Sequence, residues 1–139
     1  MAYTSTESGG PEAYVAPLDA AKFSGGASGG SSPSGKWQIS SDGGWNPRWR
    51  RDGKELFYIG AQSSIMAVQV EGKGATFRVG PSQHLFVAPA NPFIFQTFDV
   101  TADGQRFVMS ASPEEVALPL VVICSRPSAD DRRVNSTCR

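Results

Sequence analysis

Few side chains in this 139-residue chain stand where they could do chemistry. The single histidine, His84, lies between Gln83 and Leu85 in a segment that reads as a strand. A catalytic triad would need a nucleophile beside it and a buried acid behind it, and no Gly-x-Ser-x-Gly elbow supplies the nucleophile. A partly exposed strand histidine is the simpler reading. Asp52 and Asp103 could form a carboxylate pair for acid/base work. Each, however, directly precedes a glycine, Gly53 and Gly104. Asp-Gly between apolar runs is a hairpin signal, because Gly accepts the positive φ of a tight turn and Asp bonds its own backbone. Both pairs are therefore expected as structural turns. Asp42-Gly43-Gly44 lacks the spaced oxygen ligands of a calcium loop. No catalytic, cofactor-binding or metal-ligating residue is expected.

One cluster joins basic and aromatic residues: Trp45, Arg48, Trp49, Arg50, Arg51 and Lys54. Strand alternation places Arg48 and Arg50 on one face and Pro47 and Trp49 on the other. A functional reading makes Trp45, Arg48 and Arg50 a site for an anion or an acidic protein partner, since Arg offers paired donors and Trp a stacking face. A structural reading has Trp49 packed in a core and the arginines solvated or paired with acids such as Asp52 and Glu55. Cys124 falls in the apolar run Val116–Cys124 and Cys138 in a polar tail. Such different settings suggest a packed thiol and an incidental one, with no disulfide framework and no zinc site. Asn135-Ser136-Thr137 fits a glycosylation triplet, but without a secretory signal it carries no weight.

The elements that must position these residues read as strands. Gly and Pro number 15 and 10, and charged residues make up only 19%, which leans away from helix bundles. The 13 basic and 13 acidic side chains cancel, so no general nucleic-acid affinity is expected. No run reaches the ~20 apolar residues of a membrane span, and residues 1–7 lack a signal peptide's basic and apolar regions. The chain is expected to be cytoplasmic unless it belongs to a longer exported protein. Residues 1–11 read as a flexible tail, 12–125 as the folded domain, 24–35 as a flexible Gly/Ser loop, and 126–139 as a disordered tail. Short strands are expected at 12–17, 36–39, 46–50, 56–59, 65–70, 83–87 and 120–124, with turns at 41–44 and 71–74.

The segment from Phe98 to Met109 parallels that from Arg48 to Tyr58, with the Asp-Gly turns 51 residues apart. Four-strand repeats of roughly that length are a propeller signature. Leu56-Phe57-Tyr58-Ile59 and Leu120-Val121-Val122-Ile123 are apolar at every position. An antiparallel sheet with one wet face would alternate, whereas a blade covered on both sides would not. The expectation is all-β: antiparallel four-stranded blades forming a partial β-propeller of about two blades. A small β-sandwich, with the same runs as central strands, is the alternative.

The stretch Asn46-Pro47-Arg48-Trp49-Arg50-Arg51-Asp52-Gly53-Lys54-Glu55-Leu56-Phe57-Tyr58, followed by Ile65-Met66-Ala67-Val68, resembles a TolB-like, WD-type β-propeller repeat. It is most similar to the C-terminal propeller blades of bacterial, notably acidobacterial, serine/threonine protein kinases. The resemblance implies a non-catalytic module that binds a protein or peptide partner, with no cofactor. It also leaves open a sensory or regulatory propeller fragment of such a kinase or of a prolyl-oligopeptidase-like hydrolase. No kinase Gly-rich loop, catalytic-loop Asp or Asp-Phe-Gly is present, so kinase activity does not carry over. Because a propeller closes with about 4–8 blades, the partners implied are the remaining blades or further copies joined at exposed strand edges.

Overall fold

The computed structural model describes residues 1–17, 35–73, 76–88, 98–111, 120–128 and 138. The expected loop at 24–35, save Gly35, and the Asn135 triplet lie outside the described residues. The chain is all-β: the described residues form ten strands in three antiparallel sheets, none of which closes on itself, and contain no α-helix. An N-terminal sheet holds β1 (Ala2–Ser5), β2 (Glu12–Val15) and β3 (Trp37–Gln38). A central sheet runs in chain order through β4 (Trp45–Trp49), β5 (Glu55–Ile59), β6 (Ser64–Lys73) and β7 (Thr76–Val87). A C-terminal sheet holds β8 (Phe98–Val100), β9 (Arg106–Ala111) and β10 (Leu120–Ser125), with β9 in the middle.

The central sheet explains why β5 is apolar at successive positions: it is covered on both faces. Leu56 and Tyr58, with Val68 and Val70 beside them, pack against Ala13, Val15 and Ile39 of the N-terminal sheet side. Phe57 and Ile59, with Ile65, Ala67, Leu85 and Phe86, pack against Phe98, Phe107, Met109 and Cys124 of the C-terminal sheet. Phe107 centres the second core, meeting Phe57 edge-on at 5.1 Å and Phe86 at 5.3 Å between ring centroids. Such edge-to-face pairs add roughly 0.5–1.5 kcal/mol beyond burial.

Several expectations shift. Residues 2–5, expected in a frayed tail, form β1 and pair antiparallel with β2 from Ala2–Val15 to Ser5–Glu12. The turn expected at 71–74 is instead strand as far as Lys73, because β6 and β7 form a long hairpin pairing up to Lys73–Thr76. The strand expected at 83–87 begins earlier, at Thr76, and runs through Gly80-Pro81. That dipeptide falls where the register slips by one residue between the Val70–Val79 and Val68–Ser82 pairs, and a bulge on an edge strand tolerates a residue with no N–H.

The cysteines correct the reading of two unrelated thiols. Cys124 and Cys138 form a disulfide. Their backbones also pair as an antiparallel bridge. Sequence placed Cys138 in a polar tail and could not show the chain returning to β10.

Candidate functional site

The two Asp-Gly turns are built alike. At the first, Gly53 N–H donates to Arg50 O at 2.9 Å and Arg50 N–H to Glu55 O at 2.9 Å. At the second, Gly104 N–H donates to Thr101 O at 2.8 Å and Thr101 N–H to Arg106 O at 2.9 Å. Asp52 Oδ1 accepts from Lys54 N–H and Asp103 Oδ1 from Gln105 N–H, each at 3.0 Å. Both glycines hold positive φ, +70° and +71°. The Arg50 guanidinium, donating to both Asp52 oxygens, is the main cause that holds the carboxyl down at about 2 against an ordinary 3.8. Asp103 is also lowered, chiefly by the Thr101 hydroxyl. Neither carboxylate is poised to accept a proton near neutrality.

Between the turns lies a buried charged node. Glu55, fully buried at the start of β5, receives four donors. Gln69 Nε2 reaches Oε1 at 2.7 Å and Arg50 Nη1 reaches Oε2 at 2.8 Å. Arg126, just past β10, donates to both oxygens at 2.9 and 3.0 Å. A buried carboxylate is tolerable only when paired and hydrogen-bonded, and here all its acceptors are engaged. Gly104 lies against the node, since an added Cβ would stand 2.9 Å from Arg50 Cδ and 3.0 Å from Phe57 Cζ. Two turns distant in sequence thus share one side chain, Arg50, and weld the central sheet to the C-terminal sheet. Sequence offered Asp52 and Glu55 as acids that the arginines could pair with, and Arg50 pairs with both, but it singled out neither Gln69 nor Arg126 as further donors to Glu55. Four like Arg residues in a polar tail give no sign of which one returns to a core.

The basic–aromatic residues separate. Arg50 turns inward to Glu55 and Asp52. Trp49 packs against the core shared with the N-terminal sheet. Arg48 is exposed, its Nε donating to Phe98 O at 3.3 Å, and Trp45 is 39% exposed. A one-residue slip between Trp45 and Arg48 in the β4–β5 register, with Asn46 at φ +50°, breaks the simple alternation. His84 is exposed on the edge strand β7. Among the described residues, no three His, Cys, Asp or Glu side chains are grouped to hold a metal, and no helix is long and apolar enough to cross a membrane. An open groove of about 720 Å³ runs between the Asp52–Lys54 turn and the β6–β7 hairpin at Gln69–Lys73 and Arg78–Gly80. Its charges are mixed, with Lys54, Lys73 and Arg78 facing Asp52 and Glu71, and they converge on no single ligand chemistry.

Among the described residues, the outer face of the C-terminal sheet groups three exposed apolar side chains. Val121 is 71% exposed, Ile123 46% and Val108 39%. Val108 and Ile123 are direct cross-strand neighbours, and Val121 lies opposite Ser110, so all three project from one side. The 51-residue correspondence carries Phe57 onto Val108 and, through the strand pairs, Ala67 onto Ile123 and Ile65 onto Val121. In the central sheet those three positions are buried against the next sheet. In the C-terminal sheet they face solvent. The signal was present in the sequence: Leu120–Ile123 is apolar on both faces, which requires cover on both.

No protein-family model, curated protein or solved structure matches the chain.

Proposed function

We propose that this chain is a non-catalytic interaction module, a partial β-propeller stack whose C-terminal sheet docks against another sheet. The observation carrying the reading is the outward Val108, Val121 and Ile123, standing where the central sheet buries Phe57, Ile65 and Ala67. Sheets packing face to face bury such alternate apolar rows about 10 Å apart. The occupant is a second copy of this chain. Its formal net charge of zero leaves no overall repulsion between copies, and near-zero charge favours association. The paired carboxylates support a structural role for the Asp-Gly turns, and Trp45 and Arg48 remain exposed, with Arg48 beside β8.

Light scattering during size-exclusion chromatography tests this over a range of concentrations. The wild-type chain is expected to move from monomer to dimer as concentration rises. Val121→Lys, at a position already 71% exposed, is expected to remain monomeric with an unchanged melting temperature. A chain that stays monomeric throughout would overturn the reading, as would a Val121→Lys variant that associates like wild type.

A further inference from the structure

We infer that the Cys124–Cys138 disulfide is a shielded staple, closed to thiol reagents in the folded chain, that fixes the backbone at Cys138 on the edge of β10 away from β9. This inference is independent of the docking face. Three observations carry it. Cys124 is fully buried and belongs to the core of Phe57, Phe107 and Met109. Its Sγ lies 3.9 Å from Met109 Sδ, a packing contact, since a bridged sulfur has no proton to donate. Cys138 is partly buried against the same core. Its backbone pairs with Cys124 on the side of β10 away from β9, so it covers part of a strand edge that would otherwise template association.

The geometry decides how the bond can react. Thiol–disulfide exchange requires in-line attack by a thiolate on one sulfur with the other leaving as thiolate. Attack on Cys124 is barred by burial. Attack on Cys138 would expel the Cys124 thiolate into an apolar core, where burial disfavours the charged form. Formation therefore takes place with Cys124 accessible, before the C-terminal sheet seats on the central one. The chemistry is exchange with an external disulfide such as glutathione disulfide. The Cys138 thiolate attacks it and expels one thiolate. The Cys124 thiolate then displaces the second, leaving the protein disulfide and two small thiols once each leaving group takes up a proton. Such bonds persist in oxidising compartments.

The test uses the full chain refolded with reduced and oxidised glutathione. Denatured without reductant, it should resist maleimide labelling and weigh two hydrogens less than the dithiol. Dithiothreitol should reduce it at least about 100-fold more slowly in native buffer than in urea. That factor corresponds to attack through rare opening of the fold. Cys138→Ser should melt about 10 °C lower, as expected from losing a 14-residue cross-link. Labelling of both cysteines, equal reduction rates in the two buffers, or an unchanged melting temperature would each overturn the inference. Should Cys138→Ser fail to fold, the two reduction rates of the wild-type chain still decide.

Discussion

At the scale of single residues, the Asp-Gly turns separate roles that their shared motif hides. Gly53 and Gly104 have nearly the same φ, yet a Cβ on Gly53 meets nothing within 4 Å, while one on Gly104 strikes Arg50 and Phe57. Gly53→Ala is therefore expected to cost about 1 kcal/mol, the backbone penalty alone. Gly104→Ala should cost about 2–3 kcal/mol, the penalty plus displacement of the Arg50 side chain. Urea unfolding of both variants measures the gap, and equal costs would refute the close approach. Asp52 gives a pH dependence of fixed sign. Folding lowers its pKa from 3.8 to about 2, so its contribution is complete above the unfolded value and is lost as pH falls through the folded one. Asp52→Asn should melt below wild type near neutrality, and the difference should shrink as pH drops below 3.8 and vanish below about 2. A difference that persists at the acid end would mean that the Arg50 pairing is not its source.

At the scale of elements, the Glu55 node joins β5, β6, Arg50 just past β4 and Arg126 just past β10 through one carboxylate. Removing a charged hydrogen-bond partner from a buried group costs about 1.5–3 kcal/mol. Arg126→Ala is expected to lose about 2–3 kcal/mol in urea unfolding, because it removes two of the four donors to Glu55. Arg126→Ala together with Glu55→Gln should lose less than the sum of the two single changes, because they share a partner. Strict additivity would place Arg126 outside the node. Some strands were legible in alternation and turn chemistry: β5 and β10 fall where the sequence pattern puts them, and β8 and β9 flank the second Asp-Gly turn as β4 and β5 flank the first. The extents of β6 and β7 were not. A bulge at Gly80-Pro81 costs little on an edge strand, and only the register shows that β7 continues through it. Likewise β1 is polar and gives no strand signal by itself; its pairing with β2 decides it.

At the scale of the whole molecule, three sheets stacked in sequence leave the central one covered on both faces and the C-terminal one covered on one. The association expected of the wild-type chain, and its loss in Val121→Lys, belongs to this scale, since no single strand reveals which of its faces is uncovered. The covered core gives the complementary expectation. Phe107→Ala, removing a fully buried ring that meets Phe57 and Phe86, should cost about 3–5 kcal/mol. Its failure to destabilise would mean that the two sheets do not share that core.

The sequence by itself determined the β class, the two hairpin turns and the repeat spacing between them, because alternation and positive-φ glycines act within a few residues. It also contained, in the two-sided apolar runs, the requirement that sheets be covered on both faces. Only the tertiary structure decided which face lacks its cover, which of Arg48 and Arg50 is spent inside the fold, and that Arg126 and Cys138 return to Glu55 and Cys124. Those outcomes depend on groups up to 71 residues apart in the chain. Local pattern cannot encode such pairings, because the free energy that selects them comes from burying the groups together.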